Sequence, residues 1–217
     1  MALTLVIANK AYSSWSFRPW ILMRQFEIPF EEAVVPLGRP QTRAEMLRHS
    51  PAGKCPILKD GEILVWESLA IVEYLAESFP GLAIWPRKRA ARAHARALSA
   101  EMHAGFTGLR ALAPMNMRRA PSARPLTAEA SADVARLEDA FARARAAHGE
   151  GGPFLFGRFC AVDAMFAPVV NRLYAYAIPV GAPTRAYMEA MMTLPAWREW
   201  VEGAFAEHWI IDDYEKD

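Results

Sequence analysis

The sequence predicts two domains, a small α/β domain followed by an all-α helical domain. Strand-like and helix-like apolar patterns alternate through the first 80 residues. Beyond residue 88 the apolar residues recur at helical spacing, and we find no strand-like run. Between the two halves the segment "FPGLAIWPR" (79–87) contains two prolines and a glycine, a composition typical of linkers. We therefore expect domains at residues 1–80 and 88–217.

The first domain is expected to have the element order β-α-β-α-β-β-α. The expected elements are strands at 3–8 and 31–37, helices at about 16–27, 42–50 and 68–79, and two short strands within 55–67. Asp60-Gly61 lies between those two short strands and is a strong hairpin signal. This order is that of a thioredoxin-like domain.

The second domain is expected to contain helices only. The expected helices cover 88–113, 127–148, 160–176, 183–193 and 195–206. Pro183 and Pro195 each stand where a first helical residue is expected, a position that proline favours.

Composition excludes several classes of function. A formal net charge of +1 argues against a general electrostatic grip on nucleic acid. No apolar run approaches the ~18 residues of a membrane span, and the start lacks the features of a signal peptide. The two cysteines, Cys55 and Cys160, stand in unrelated contexts and predict no disulfide framework. No Cys or His residues have metal-ligand spacing, so we expect no metal site and a reducing, cytoplasmic compartment.

Three serines mark the start of the first helix. Ser13, Ser14 and Ser16 occupy the place where thioredoxin-like redox proteins carry a C-x-x-C pair. Direct dithiol chemistry is therefore not expected. A hydroxyl at this helix N-terminus can donate a hydrogen bond to the thiolate of a bound ligand, and it can also simply cap the helix. Both interpretations stay open on the residues alone.

Two further pairs suggest a peptide-like ligand. Cys55-Pro56 precedes the third strand, and a cis bond there would present the backbone of Cys55 to an extended ligand. Glu67-Ser68 opens the third helix, where the hydroxyl and free N–H groups can hold a carboxylate while the glutamate accepts from an ammonium. A plain trans proline and an ordinary helix cap are the structural alternatives.

The segment "GKCPILKDGEILVWESLAIVEYLAE" (53–77) resembles the glutathione-binding segment of the glutathione transferase family. The resemblance implies that Glu67 and Ser68 hold the γ-glutamyl group of glutathione. It implies that Cys55, next to a cis Pro56, pairs with the cysteinyl backbone. Lys54 is a looser candidate for the glycyl carboxylate.

The stretch "SSWSFRPWIL" (13–22) is similar to the S-S-C-x-x-R motif of zeta-class members, with Trp15 in the place of the cysteine. The zeta pattern implies that Ser13 contacts the glutathione sulfur, whereas counting back from Arg18 as in theta-like members implies Ser14. Ser16 is a third candidate. The missing cysteine weakens any transfer of the zeta-class maleylacetoacetate isomerase activity.

The helical half also resembles the family. "FCAVDAMFAPVV" is similar to its buried S/T-x-x-D capping box, with Asp163 as a structural residue. Cys160 replaces the capping hydroxyl, which we expect to weaken the cap by about 1 kcal/mol.

A second-substrate pocket is expected where the long helix 88–113 ends. Trp15 is a candidate for its apolar wall. Asn116, Arg118 and Arg119 could meet an anionic co-substrate there, or form a surface loop.

The resemblance implies a cytoplasmic enzyme that stabilises the glutathione thiolate and conjugates it to a small electrophile. The alternatives are a zeta-type glutathione-dependent cis-trans isomerase and a non-catalytic glutathione-binding module. The family forms symmetric dimers, so we expect a homodimer in which the helices at 88–113 and 127–148 meet Glu73 or Glu77 of the partner.

Overall fold

The computed structural model describes residues 3–215; the outermost residues of the two expected domains, 1–2 and 216–217, lie outside this range. The strands are β1 (Leu3–Ile7), β2 (Phe30–Val34), β3 (Ile57–Asp60) and β4 (Ile63–Trp66). The helices are α1 (Ser14–Gln25), α2 (Thr42–His49), α3 (Ser68–Ser78), α4 (Arg89–Ala104), α5 (Thr107–Leu112), α6 (Ala128–His148), α7 (Ala161–Ala175), α8 (Ala182–Met192), α9 (Pro195–Ala206) and α10 (Asp212–Glu215). The expected fold class, a thioredoxin-like part followed by a helical part, is confirmed.

The sheet has the strand order β2-β1-β3-β4. β2 runs parallel to β1, and β3 is antiparallel to both β1 and β4. The β3–β4 turn contains Gly61 at φ +57°, a conformation that glycine adopts without steric cost. The hairpin expected at Asp60-Gly61 is therefore confirmed.

Both faces of the sheet are covered. Alternate residues of β1 point to opposite faces, so Leu5 and Ile7 join the large core with α1 and α3, while Val6 packs with Met46 of α2. The large core continues without a break into α7, which packs against α1. The sheet and the helical part thus share one hydrophobic core, and α1 packs between them.

The helical part differs from the expectation in three places. The single helix expected over 88–113 is wrong, because the chain breaks after α4 at Gly105 and Phe106, where Phe106 takes φ +55°. α8 begins one residue earlier than expected, so Pro183 is its second residue. The short α10 was not expected; its residues are polar and carry no helical apolar pattern.

The first turn of α7 is stabilised by a buried carboxylate. Asp163 is fully buried and accepts hydrogen bonds from the backbone N–H of Cys160 at 2.9 Å and of Leu155 at 3.2 Å. Cys160 and Asp163 form the expected capping box. The carboxylate therefore ties the loop before α7 to the helix, as expected of a structural residue.

Burial raises the pKa of Asp163 to about 6, against an unfolded value near ~3.9. The folded state then binds a proton more tightly than the unfolded state, so stability falls as the pH rises from about 4 to about 6. We expect the free energy of unfolding of the wild type to fall by on the order of 2 kcal/mol relative to that of Asp163→Asn between these two pH values. Urea unfolding at several pH values measures this, with Asp212→Asn as the exposed control. Parallel pH profiles for wild type and Asp163→Asn would contradict the assignment.

Arginines on the outer faces of α4 and α6 pair within the chain. Arg96 makes a bidentate contact with Glu73 of α3, with its closest N···O distance at 2.7 Å. Arg136 of α6 contacts Glu101 of α4 in the same way. Glu73 is thus paired within its own chain and Glu77 is exposed, and the expected contact of either residue with a partner chain stays a prediction.

No helix within residues 3–215 is long and apolar enough to cross a membrane. Across the same range, no group of three or more His, Cys, Asp or Glu side chains is arranged to hold a metal ion.

Candidate active site

A cleft opens at the N-terminus of α1, between the sheet and helices α4, α5 and α7. It comprises a main cavity of about 530 Å³ and a side cavity of about 340 Å³. Four residues line both cavities, which places the two side by side: Trp15, Lys54, Cys55 and Arg110. The main cavity also contains Ser13 and Ser14, and the side cavity contains Glu67.

The three serines have different hydrogen-bonding positions. Ser13 is the N-cap of α1, and its hydroxyl accepts from the backbone N–H of Ser16 at 3.3 Å. The buried Ser16 hydroxyl accepts from the N–H of Ala8 at 3.0 Å and from the Ser13 hydroxyl at 2.8 Å. It donates to Cys55 Sγ at 3.5 Å. The Ser16 hydroxyl is therefore fully used inside the protein.

Ser14 is the first residue of α1, which begins two residues earlier than expected because Ser13 caps it. The Ser14 side chain lines the main cavity and makes no hydrogen bond within residues 3–215. A free hydroxyl thus stands beside the partial positive charge of a helix N-terminus, where the Ser14 N–H donates to the carbonyl oxygen of Tyr12 and the Ser16 N–H to the Ser13 hydroxyl. This arrangement can stabilise an anion that enters the cavity.

The Cys55–Pro56 bond is cis, as expected. The sheet register begins at Ile57, so the backbone groups of Cys55 lie outside the ladder and at the rim of both cavities. Burial raises the pKa of the Cys55 thiol, against weaker opposing hydrogen bonds from Ser16 and Ser13. The thiol is therefore poorly suited to act as a nucleophile, and the backbone is the part of Cys55 available to a ligand.

The N-terminus of α3 has no internal cap. Glu67 takes φ +72° at the N-cap position and its side chain makes no capping hydrogen bond. The Ser68 hydroxyl is buried and has no partner within residues 3–215. The Glu67 carboxylate is about half exposed and lies 3.6 Å from His103 Nε2. The Glu67 carboxylate lines the side cavity, and the free N–H groups and the buried Ser68 hydroxyl follow it in the chain, an arrangement that suits an α-amino acid group.

Two guanidinium groups lie close to the Trp15 ring. Arg18 Cζ, from the same helix, is 4.0 Å from the ring centroid, and Arg110 Cζ, from α5, is 4.8 Å from it. The guanidinium nitrogens of Arg18 are buried and have no hydrogen-bond partner within residues 3–215. Burial lowers the pKa of Arg18, and the charges of Arg172 and Arg110 lower it further. Trp15 thus lines the cleft as expected, and two cations approach it.

The structure directs two candidate pocket residues away from the cleft. Asn116 Nδ2 donates to a Glu215 carboxylate oxygen at 3.0 Å. Arg118 donates to the carbonyl oxygens of Glu207 at 3.0 Å and Trp209 at 2.9 Å. Both side chains hold the C-terminal segment of the chain, residues 207–215, and neither lines the main or the side cavity.

The third candidate, Arg119, also lies outside the cleft, whereas one residue of the C-terminal segment lines it. Arg119 Cζ lies 4.7 Å from the Tyr176 ring centroid, outside both cavities. The C-terminal segment instead contributes Tyr214 to the main cavity.

Comparisons with known proteins agree with this geometry. The family model for the N-terminal domain of glutathione S-transferase matches residues 12–78, a range that includes Ser14, Cys55 and the start of α3. A glutathione transferase homologue from Burkholderia, solved with bound glutathione, aligns with a TM-score of 0.75 at 25% identity, covering 95% of this chain and 100% of that one. The chain has the fold of the glutathione transferases, and its residues 12–78 match the N-terminal domain of that family.

Three curated proteins align with this chain over different lengths. Dichloromethane dehalogenase from Methylorubrum extorquens is 43% identical over 65 residues, covering 29% of this chain and 23% of the relative. A probable maleylacetoacetate isomerase from Caenorhabditis elegans is 35% identical over 98 residues, 45% of each chain. Human glutathione S-transferase theta-1 is 28% identical over 208 residues, covering 90% of this chain and 81% of the relative. The alignments thus span less than half of the first two relatives.

Three cationic or polar residues of this cleft were not predicted from the sequence. Arg110, His103 and Arg172 reach the cleft only through helix packing, in which α7 packs against α1 and α4 packs against α7. The one local signal was the position of Arg110, seven residues after His103, which the expected continuous helix would have placed on the same face.

Proposed function

We propose that this protein binds glutathione in the cleft, stabilises its thiolate and transfers it to a small electrophile. The observation that carries the proposal is the pairing of an unused hydroxyl at the start of α1 with an uncapped start of α3, both opening on adjoining cavities. The relatives named above support it, as does the glutathione bound in the Burkholderia homologue.

In this proposal the γ-glutamyl group binds at the start of α3. The Ser68 hydroxyl and the free N–H groups donate to its α-carboxylate, and the Glu67 carboxylate accepts from its ammonium. The backbone of Cys55 pairs with the cysteinyl residue. Lys54 lines both cavities and is the proposed partner of the glycyl carboxylate.

Ser14 is the proposed thiolate ligand. Its hydroxyl donates to the glutathione sulfur, while Ser13 caps the helix and Ser16 supports Cys55. A free thiol has a pKa near ~8.5, and each unit of depression stabilises the thiolate by about 1.4 kcal/mol. A lower pKa raises the population of the nucleophile at neutral pH. The thiolate sulfur forms a bond to the electrophilic carbon, and the leaving group departs with its electron pair.

Isomerisation is the second candidate. Two probable maleylacetoacetate isomerases, from Caenorhabditis elegans and Vibrio cholerae, are 35% and 32% identical to this chain over 98 and 105 residues. In that reaction the thiolate adds to a cis double bond and leaves again, so glutathione is not consumed. Trp15 occupies the place of the zeta-class cysteine, which favours the transferase.

Calorimetric titration with glutathione tests binding, and consumption of glutathione tests the reaction. We expect saturable binding and stoichiometric loss of the thiol with 1-chloro-2,4-dinitrobenzene. Turnover of a cis-enone acid without loss of glutathione would identify an isomerase. Binding without turnover of either compound would leave a binding module, and absence of binding would overturn the proposal.

We also propose that the protein is a homodimer in the cytoplasm, with α4 and α6 at the interface and Glu77 as the acidic contact of the first domain. A twofold arrangement is the commonest for soluble oligomers and would cover the same patch on each chain. Light scattering is expected to give about twice the 24.2 kDa chain mass. A measured mass equal to that of one chain, at micromolar protein concentration, would refute the dimer and would leave the site assignments unaffected.

A further inference from the structure

We infer that the electrophile is an organic acid whose carboxylate is bound by Arg110 and Arg172 on the helical wall of the main cavity. The inference rests on the proposed function for the identity of the nucleophile, and it adds the class of the second substrate. It is carried by the charge of the cavity wall and by guanidinium groups that have no anionic partner.

The main cavity is lined by cations without a compensating acid. Lys54, Arg110 and Arg172 line it, and no aspartate or glutamate of the described range does. The side cavity adds one carboxylate, Glu67, which faces His103. Burying like charges without counter-ions is costly, so an anion supplied by a ligand would relieve the arrangement.

Arg172 is the most deeply buried of the cavity's cations. It is 4% exposed, and its Nε donates to the carbonyl oxygen of Ala113 at 2.8 Å. Its Nη1 is buried and has no hydrogen-bond partner within residues 3–215. Burial, followed by the charge of Arg110, lowers the pKa of Arg172 to about 10, so the guanidinium remains charged at neutral pH. A buried, charged donor without an acceptor therefore lines the cavity.

Arg110 is held in position by an aromatic ring rather than by an acid. Its guanidinium lies over Trp15, and Nη1 donates weakly to the carbonyl oxygen of Gly105 at 3.4 Å. Stacking on a ring leaves the edge of a guanidinium free to donate to a carboxylate. The buried charge of Arg18, which also lies 4.0 Å from the Trp15 ring centroid, adds to the positive potential here.

Glutathione does not account for these two arginines. In the proposed binding mode its α-carboxylate takes the start of α3, its ammonium takes Glu67 and its glycyl carboxylate takes Lys54. The thiolate faces Ser14 on α1, whereas Arg110 and Arg172 belong to α5 and α7 across the cavity. They are therefore placed to bind the acid group of the compound that the thiolate attacks.

Binding of a matched acid and amide tests the inference without relying on turnover. 3,5-Dinitrobenzoate and 3,5-dinitrobenzamide have the same ring and no leaving group, and quenching of tryptophan fluorescence can report both. We expect the acid to bind about 10- to 100-fold more tightly, since hydrogen bonds between charged groups contribute about 1.5–3 kcal/mol. Arg110→Met should reduce the preference to within about 3-fold, and Arg110→Lys should keep part of it.

Arg143→Met is the matched control, because Arg143 is exposed on α6 and pairs with Asp139. It removes the same charge from the protein and should leave the preference unchanged. Far-ultraviolet circular dichroism checks that each variant is folded. The reactive pair, 4-chloro-3,5-dinitrobenzoate and its amide, should then show the same preference in kcat/KM as glutathione displaces chloride.

The outcomes separate the two proposals. Equal binding of acid and amide, binding of neither, or a preference that survives in Arg110→Met would overturn the inference even if the amide is conjugated. Loss of glutathione affinity in Arg110→Met would also overturn it, because the arginine would then serve glutathione itself. A preference for the acid without any binding of glutathione would uphold the anion site and reject the proposed function.

Discussion

Ser14→Ala is expected to lower kcat/KM about 100- to 1000-fold, the usual loss when a hydrogen-bond donor to a reacting anion is removed. The pKa of the bound glutathione thiol should rise toward its free value near ~8.5. Stability should change by less than about 0.5 kcal/mol, since the Ser14 hydroxyl makes no hydrogen bond within residues 3–215. Thiolate absorbance against pH measures the pKa, and urea unfolding measures the stability.

Ser16→Ala is the matched control and should behave in the opposite way. Removal of its hydroxyl leaves the buried N–H of Ala8 without an acceptor, which costs about 1–3 kcal/mol of stability. Its effect on the thiol pKa should be small, since the Ser16 hydroxyl is fully used inside the protein. A thiol pKa that shifts in Ser16→Ala or Ser13→Ala but not in Ser14→Ala would reassign the thiolate ligand.

Glu67→Gln is expected to weaken glutathione binding about 10- to 100-fold. The substitution keeps the shape of the side chain and removes the charge that would pair with the ammonium, a loss of about 1.5–3 kcal/mol. S-Methylglutathione, which has no free thiol, should lose the same factor, because the missing contact lies at the γ-glutamyl end. Calorimetric titration gives both affinities.

Ser68→Ala separates binding from folding at the same helix start. The Ser68 hydroxyl is buried without a partner, so its removal should leave stability equal to or above that of wild type. Glutathione affinity should fall by about 10-fold, because the α-carboxylate loses one donor. Glu62→Gln, at an exposed position of the β3–β4 turn, is the control for charge. Unchanged affinity in both Glu67→Gln and Ser68→Ala would place the γ-glutamyl group elsewhere.

Local signals explain how much of the fold could be predicted. The element order of the first domain follows from apolar spacing, and the hairpin follows from Asp60-Gly61, both of which act over a few residues. The cis Cys55–Pro56 bond and the Asp163 capping box likewise follow from short motifs. The break between α4 and α5 could not be predicted, because Phe106 adopts a backbone conformation that its residue type disfavours.

The candidate site could be predicted on one wall only. The start of α1 and the start of α3 are marked by their own residues, whereas Arg110 and Arg172 enter the cleft through the packing of distant helices. Arg118 was assigned to the pocket from its place in the chain, yet its partners are Glu207 and Trp209, about 90 residues away. The proposal of Ser14 over Ser13 and Ser16 rests on their hydrogen bonds, which no sequence pattern encodes.

The uncapped start of α3 links the stability of this protein to the concentration of the glutathione that it is proposed to bind. If the α-carboxylate of glutathione supplies the missing cap, the occupied protein has a completed helix and the empty protein does not. A ligand that binds only the folded state adds RT ln(1 + [L]/Kd) to stability, about 2.7 kcal/mol at a hundredfold excess over Kd. The melting temperature would then rise with the concentration of glutathione around the protein. Depletion of glutathione would leave α3 uncapped and the protein more open to unfolding and proteolysis at this helix.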